Sequence, residues 1–426
     1  MPPSIWEDRG MTSSAGELLD LDITGFAHGG TAVARHEGRV VFVADAIPGE
    51  RVRVRVADAS KTAFWRADAV EVLEASPHRV PHIWPEADIS RDPVDRVGGA
   101  DLGHIDLGHQ RVLKRQVLQE ALDKFAGTGL TAPEVAGLDP STGSGLASDG
   151  TGWRTRMTLH VDDAGRVGPY AARSHRVIEV DSLPLARPEL AAAAEALVGT
   201  PSAGRIIFVE PADGRARVLP RPDRPTRSRR GARAHRREPE VIVEKVGSRE
   251  FRLDVDGFWQ VHPLAAATLD AEVRAALEGR VDPDATHFDL YGGVGLFAAA
   301  LADLGATDVV TVESDARATA HAERNLAPLD VHAVTARVDR FLTSVPAGSR
   351  AGTIVLDPPR AGAGKAVVEA VHGLAPEAVV YVACDPVALA RDLGTFRALG
   401  WEADRLRAFD LFPHSHHFET VVRLTR

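Results

Sequence analysis

The residues best suited to do chemistry stand at the ends of two predicted strands in the C-terminal part of this 426-residue chain. One apolar strand runs into Asp357-Pro358-Pro359-Arg360, and the next runs into Cys384-Asp385-Pro386. Because the carboxyl ends of parallel strands meet at one edge of a sheet, an acid and a thiol are presented at the same place. Cys384 is the single cysteine of the chain, so it is either an inert packing residue or a reactive thiol. Which of the two it is depends on the groups that surround it in the fold.

A glycine-rich turn predicts a nucleoside site at the same edge. A strand over residues 286–290 leads into Tyr291-Gly292-Gly293-Val294-Gly295 and then into an alanine-rich helix. Glycines there let a ligand approach the backbone at a helix N-terminus. The next strand ends at Glu313, where a carboxylate can accept hydrogen bonds from ribose hydroxyls. The turn lacks the G-x-G-x-x-G spacing, so S-adenosylmethionine fits better than a dinucleotide; the alternative is a purely structural turn with a solvated Glu313.

These residues need an α/β domain to position them. From about residue 251, apolar strands alternate with alanine-rich helical segments, which is typical of a Rossmann-like fold around a largely parallel sheet. The candidate strands are residues 286–290, 308–312, 352–356, 378–382 and 420–424.

The N-terminal part is predicted to be a small all-β barrel over about residues 17–73. Its clearest signal is Arg51-Val52-Arg53-Val54-Arg55-Val56, whose period-two alternation places valine on one face and arginine on the other. The outward arginines could meet RNA phosphates, or they could form an ordinary solvated face.

The middle of the chain is predicted to be a mixed α+β region whose fold the sequence leaves open. Residues 109–125 have helical spacing, 139–152 read as a loop, and 205–209 as a strand. An arginine-rich stretch between Arg215 and Arg237 is either an RNA-binding surface or a solvated loop. Its arginines are Arg215, Arg217, Arg221, Arg224, Arg227, Arg229, Arg230, Arg233, Arg236 and Arg237.

Composition excludes several classes of protein. With 44% hydrophobic and 26% charged residues and no long apolar run, we expect a globular protein without a membrane span. The N-terminus has no secretory signal pattern, so we expect a cytoplasmic protein, and a single cysteine excludes an internal disulfide. A net charge of −10 argues against binding nucleic acid over the whole surface and requires a local basic surface for RNA.

Taken together, the motifs resemble those of the RNA 5-methyluridine methyltransferases, which modify uridines of tRNA and ribosomal RNA. The resemblance covers the C-terminal domain closely, and residues 17–73 also resemble the TRAM barrel that often precedes it. The motifs that carry it are Phe258-Trp259-Gln260, Asp289-Leu290-Tyr291, Gly293-Val294-Gly295-Leu296-Phe297, Asp357-Pro358-Pro359-Arg360, Cys384-Asp385-Pro386, Ala390-Arg391-Asp392 and the tail from Phe412-Pro413 to Glu419.

The resemblance implies a reaction and a role for each site residue. Cys384 would add to carbon 6 of a uracil, and carbon 5 would then attack the methyl group of S-adenosylmethionine. Glu419 would be the general base that removes the proton from carbon 5. Asp357 would lie between the cofactor and the target base. The cofactor would be held by Gln260, Tyr291, Gly293, Gly295, Glu313 and Asp357.

The sequence departs from the family at several positions. Many relatives carry cysteines for an iron–sulfur centre, but the corresponding stretch here is Val97-Gly98-Gly99-Ala100, so we expect no cluster. Gly292 replaces a frequent cysteine and His262 a common asparagine, which leaves the choice of RNA open. The tail histidines near Asp410 lack zinc-site spacing, so we predict no metal and expect His417 to orient the base-binding loop.

We therefore predict three parts: a TRAM-like barrel over residues 14–75, a middle α+β region over 76–250 and a methyltransferase domain over 251–426. The expected partner is tRNA or rRNA, with no membrane and with a monomeric chain. The rival functions are methylation of another base, such as cytosine at carbon 5, and a catalytically inactive RNA-binding protein.

Overall fold

The computed structural model describes residues 15–138, 146–197, 202–223 and 238–426. Most of the arginine-rich stretch, from Arg224 to Arg237, lies outside these residues, as does the first half of the loop predicted at 139–152. No helix in the described part of the chain is long and apolar enough to cross a lipid bilayer.

The N-terminal strands close into the predicted barrel, in the order β1-β2-β3-β5-β4. Val52, Val54 and Val56 all point inward and are almost fully buried, so the alternation in the sequence identified the core face correctly. The strands are β1 (Leu18–Ala27), β2 (Thr31–His36), β3 (Arg39–Ala44), β4 (Arg51–Asp58) and β5 (Phe64–Glu74).

Two outward arginines of β4 are paired with nearby carboxylates. Arg53 bonds Asp20 on β1 and Glu71 on β5, both at 2.8 Å, and Arg55 Nη1 lies 2.6 Å from Asp92 Oδ2. Phosphate binding by either arginine would have to displace a carboxylate, which weakens the expectation that this face holds RNA.

The middle region combines a four-stranded sheet, in the order β10-β9-β7-β8, with a β11-β12 hairpin and two helices. Its strands are β6 (Val135–Gly137), β7 (Arg156–Val161), β8 (Val167–Gly168), β9 (Gly204–Val209), β10 (Arg217–Pro222), β11 (Val241–Val246) and β12 (Arg249–Asp254). Its helices are α1 (Leu107–Ala121), continued by a short π-helical turn (Leu122–Ala126), and α2 (Pro188–Glu195), besides single helical turns at Pro85–Ala87 and Pro93–Asp95.

The C-terminal part is the predicted Rossmann-like domain. Its strands are β13 (Thr286–Leu290), β14 (Asp308–Glu313), β15 (Val331–Thr335), β16 (Thr353–Leu356), β17 (Ala378–Ala383), β18 (Glu402–Asp410) and β19 (Glu419–Thr425). Its helices are α3 (Ala265–Leu277), α4 (Leu296–Asp303), α5 (Ala316–Leu326), α6 (Val338–Ser344), α7 (Lys365–Gly373) and α8 (Pro386–Ala398).

The order of the large sheet determines where a ligand can bind. The strands run β15-β14-β13-β16-β17-β19-β18-β6; the first five are parallel, and β19 is antiparallel to β17. The chain builds outward from β13 through β14 to β15 and then returns to the other side of β13 with β16. The crevice at this reversal, at the carboxyl ends of β13 and β16, is the usual ligand site of an open α/β sheet.

Both faces of the sheet are covered, which explains why its central strand reads as a continuous apolar run. On β17, Tyr381 packs into the core beneath α1, α7 and α8, whereas Val380 and Val382 pack into the core beneath α3 and α4. The middle region contributes α1 and the edge strand β6 to this domain, and the predicted border between residues 250 and 251 falls inside β12. The two parts therefore share one core.

A buried carboxylate joins the barrel to the segment that follows it. Glu50 accepts bonds from Arg79 Nε at 2.6 Å and Nη2 at 2.7 Å, and from the amides of Ile47 at 2.9 Å and Ser76 at 3.2 Å. Its side chain is fully enclosed, so no water can replace a lost partner.

We predict that Glu50→Ala lowers the free energy of unfolding by about 3–5 kcal/mol, because it leaves the Arg79 charge and two amides unpaired. The control is Glu71→Ala, which removes an exposed partner of Arg53 and should cost about 0–1 kcal/mol. Urea denaturation of both variants measures the difference, and equal losses in the two would refute the role given to Glu50.

Candidate active site

The register of the parallel strands brings three predicted residues to the crevice. Leu290 pairs with Val312 on one side and with Leu356 on the other, so Tyr291, Glu313 and Asp357 follow three adjacent strand ends. Backbone bonds hold this alignment: the Tyr291 amide donates to the Val312 carbonyl at 3.0 Å, and the Asp357 amide to the Leu290 carbonyl at 3.2 Å.

The antiparallel pairing of β17 with β19 brings the thiol to the acid of the tail. Ala383 pairs with Thr420, so the next position on each side sets Cys384 across from Glu419. Cys384 is half-buried and Glu419 is only 5% exposed. Neighbouring strand ends therefore supply a thiol and a carboxyl group that face one space.

That space is a cavity of about 1110 Å³. Seven predicted site residues line it, namely Gln260, Tyr291, Gly293, Glu313, Asp357, Cys384 and Glu419. Gly295 is the exception among the predicted residues. It caps α4 with a φ of +97°, and a Cβ there would lie 2.6 Å from Leu326, so its place is behind the turn rather than on the cavity wall.

The glycine turn has room for a ligand beside Glu313. A Cβ on Gly293 would meet nothing within 4 Å, and its amide donates to Glu313 Oε2 at 3.2 Å. Gly292, by contrast, is pressed against the sheet, where a Cβ would lie 1.9 Å from Thr311 Oγ1. A larger residue at this position would need a smaller partner than Thr311. The open wall and the carboxylate together fit the ribose of an adenosyl group.

Burial raises the pKa values of the acids around Cys384 and beneath the glycine turn. Enclosure raises the pKa of Asp289, beneath the turn, to about 7, and enclosure together with Asp289 raises the pKa of Asp357 to about 7. The pKa of Glu419 is raised well above its usual value, first by burial and then by Asp357. Burial, Glu419 and Asp357 raise the pKa of the Cys384 thiol to about 12, while the Arg360 cation acts in the opposite direction.

The loop that carries Asp357 and Arg360 is anchored by Asp392. This residue belongs to the Ala390-Arg391-Asp392 motif, for which the sequence predicts no role. Asp392 Oδ2 accepts bonds from the Ala363 amide at 2.8 Å and from the Tyr381 hydroxyl at 2.6 Å. The carboxylate, only 5% exposed, thus ties helix α8 and strand β17 to the end of this loop.

The loop that leads into Glu419 is held by the middle region. Lys114 on α1 donates to Asp410 at 2.6 Å, at the end of β18, inside the core. Four residues further on, the His414 amide donates to Gln110 Oε1 at 2.8 Å. Helix α1 of the middle region therefore fixes both the start and the middle of this loop. The position of Glu419 thus depends on a helix that lies outside residues 251–426.

The tail histidines are engaged with protein partners. His414 Nε2 lies 2.7 Å from the Asp149 carbonyl, and His416 Nδ1 lies 2.7 Å from Asp101 Oδ2. Burial and His416 lower the pKa of His417, which lines the cavity, to about 3, so its ring is neutral. Within the residues described, no group of three or more His, Cys, Asp and Glu is arranged to hold a metal ion.

Two wall residues could not have been found from the sequence. Arg154, just before β7, and Asp101, in the segment after the barrel, both reach the cavity. The pKa of Arg154 is lowered by burial and by the nearby Arg360 charge, so two cations lie close together on the cavity wall. No local motif marks either residue, because each reaches the cavity only through the fold of the middle region.

Over nearly its whole length the chain is similar to RNA-modifying enzymes. A model described as tRNA (Uracil-5-)-methyltransferase matches residues 345–426, and a TRAM domain model matches residues 13–70. An uncharacterized RNA methyltransferase of Streptomyces avermitilis is 40% identical over 96% of this chain and 98% of its own. The 23S rRNA (uracil(1939)-C(5))-methyltransferase RlmD of Chromohalobacter salexigens is 31% identical over 95% of this chain and 89% of its own.

A solved structure shares the fold. The tRNA (uracil-54, C5)-methyltransferase of Pyrococcus abyssi, in complex with S-adenosyl-L-homocysteine, matches with a TM-score of 0.69 and covers 95% of this chain and 99% of its own. At 21% identity, this similarity shows that the two chains share a fold and nothing more.

The raised pKa of Asp357 predicts a stability gain in Asp357→Asn that depends on pH. The unfolded carboxyl ionises near pH 4, whereas the folded one holds its proton to about pH 7, so folding loses stability as pH rises across this window. Asparagine cannot ionise, and the variant should melt a few degrees above the native chain at pH 8 but not at pH 4.

Melting curves between pH 4 and pH 8 measure this gap. The control is Asp339→Asn on the same cavity wall, where the Arg337 bond lowers the pKa of the carboxyl, so that variant should gain nothing at pH 8. A gap between Asp357→Asn and the native chain that stays constant with pH would contradict the raised pKa.

Proposed function

The chain belongs to the RNA (uracil-5-)methyltransferase family, and from this premise we propose that it methylates carbon 5 of an RNA uridine through a covalent adduct with Cys384. The observation that carries this proposal is the register that sets Cys384 across from Glu419 at the wall of one cavity. A thiol and a base on facing strand ends suit a reaction in which one bond to the substrate is made and later eliminated.

S-adenosylmethionine would be held by the crevice between β13 and β16. Gln260, Tyr291, Gly293 and Glu313 line this part of the cavity, and the space beside Gly293 is open. When bound, the cofactor supplies a methyl group activated by a positive sulfur. Asp357 stands between this crevice and Cys384, in the position proposed for contact with the target base.

Cys384 begins the reaction. Its thiolate forms a bond to carbon 6 of the uracil, and the electron pair of the 5,6 double bond moves to make carbon 5 nucleophilic. With a pKa of about 12, the free Cys384 is protonated at neutral pH, so its activation belongs to the substrate complex. Arg360 is placed to help, because its charge lowers the pKa of this thiol.

Glu419 completes the reaction. Once carbon 5 has taken the methyl group, the carboxylate removes the remaining proton from that carbon, the double bond re-forms and the bond to Cys384 breaks. The environment that raises the pKa of Glu419 makes its ionised form a strong base. The enclosed walls require the uridine to leave any base-paired stack to reach this group.

Ribosomal RNA is the first substrate to test. The Chromohalobacter relative, at 31% identity, is named for a 23S rRNA uridine, which supports this choice over tRNA. The proposed enzyme acts as a monomer on RNA in the cytoplasm.

The proposed reaction is tested with methyl-labelled S-adenosylmethionine and total cellular RNA, followed by digestion to nucleosides. We expect label in 5-methyluridine with the native chain and none with Cys384→Ala. Label in 5-methylcytidine or in a methylated adenosine would support methylation of another base. Cofactor binding with no labelled nucleoside would support an inactive RNA-binding protein, and undiminished label in the variant would refute the nucleophile.

Glu419→Gln separates the last step from the earlier ones. Glutamine keeps the shape of the side chain but cannot take the proton, so turnover should fall about 100- to 10,000-fold. The adduct should then accumulate as an RNA–protein complex that survives denaturing electrophoresis. The exposed Glu402→Gln on β18 is the matched control and should form none. A Glu419→Gln chain that turns over normally would remove this residue from the reaction.

A further inference from the structure

The barrel makes a contact with the segment that carries the proposed nucleophile. In the turn between β1 and β2, His28 Nε2 lies 3.2 Å from Asp385 Oδ2. Asp385 directly follows Cys384 and caps α8, because its Oδ1 accepts the amides of Val387 at 3.0 Å and Ala388 at 2.8 Å. The helix cap uses one oxygen of Asp385 and the barrel holds the other, so the carboxylate cannot rotate freely.

The same turn also packs against the segment that carries His416. A Cβ on Gly30, whose φ is +74°, would lie 3.0 Å from Cβ of His416 and 3.3 Å from Cβ of Asp101. The rings of His28 and His416 meet edge to face, 6.3 Å apart. His416 precedes Glu419 by three residues and is bonded to Asp101. One turn of the barrel thus contacts the residue that follows Cys384 and the loop that leads into Glu419.

The contact lies at the rim of the cavity rather than inside it. The His28 side chain is 42% exposed and that of Asp385 22% exposed, while the cavity wall is formed by Cys384 and Glu419 themselves. His28 therefore has no direct access to the reacting atoms and can act only through Asp385 and His416. A displacement of about 1 Å in a reacting group can reduce a rate about 100-fold, so such indirect support has a measurable effect.

We propose that His28 is a positioning residue, through which the barrel orients Asp385 and so the Sγ of Cys384 for attack on the substrate. The barrel then takes part in the chemical step. This inference rests on the proposed function for the kinetic measurement, but the position of the thiol can be measured without RNA.

The kinetic test compares His28→Ala with His28→Gln, whose amide can still donate to Asp385. We expect His28→Ala to lower kcat about tenfold while KM for RNA changes less than about twofold, and His28→Gln to restore most of the rate. The control is His36→Ala on β2 of the same barrel, where the ring packs on Trp65 and kcat should stay unchanged.

Alkylation by iodoacetamide supplies the second measurement. Cys384 is the single cysteine, so the rate of alkylation reports this one site in the whole chain. We expect His28→Ala to react several-fold faster than the native chain, because the freed segment exposes the half-buried Sγ, and His28→Gln to react at nearly the native rate.

The outcomes separate the two proposals. A His28→Ala chain that raises KM alone would make His28 an RNA contact and overturn the positioning role, as would unchanged kcat and alkylation. If glutamine fails to restore the rate, the bond to Asp385 is not what matters. If the native chain makes no 5-methyluridine, the proposed function fails, and the alkylation rates alone decide whether the barrel positions Cys384.

Discussion

The pairing of β17 with β19 is the constraint on which the rest of the site depends. Because Ala383 is opposite Thr420, Cys384 and Glu419 must emerge side by side from the sheet. The parallel strands on the other side of β17 bring Asp357 and the cofactor crevice to the same edge. A shift of one residue in the register would turn one of the two groups away from the cavity, because alternate residues of a strand face opposite sides.

Burial then sets the chemistry that this geometry allows. Burial is the first cause of the raised pKa values of Asp357, Cys384 and Glu419, and the acids nearby add to it. In the proposed reaction the Cys384 thiol is therefore protonated at rest, and the bound substrate must help to stabilise the thiolate. The raised pKa of Asp357 lowers the stability of the fold, because at neutral pH its carboxyl group favours folding less than an uncharged amide would. Buried anchors hold the loops that carry these groups. Asp392 bonds the end of the loop that follows Asp357, and Lys114 bonds the start of the loop that leads into Glu419.

The sequence predicted what depends on local pattern and missed what depends on distant contacts. The strand at residues 286–290 has the same bounds in the structure, because a buried parallel strand and the glycine turn after it can both be recognised from neighbouring residues in the sequence. The outward arginines of β4 were identified, but not the acids of β1 and β5 that neutralise them. Arg154, Asp101 and His28 carry no motif, since their contacts with the cavity or its rim are made across segments far apart in the chain. Gly295 was assigned to the cofactor, and the structure adds that its lack of a side chain lets Leu326 pack against it.

The central claim, that Cys384 forms the covalent bond, is tested most directly by peptide mass spectrometry with an RNA that carries 5-fluorouridine. Glu419 cannot remove fluorine from carbon 5 as it would remove a proton, so a methylated adduct should persist once formed. After digestion, the account predicts the peptide containing Cys384 with a methylated fluorouridine attached, and only when S-adenosylmethionine is present. A methyl group on the RNA with no modified peptide, or an adduct on another residue, would contradict it.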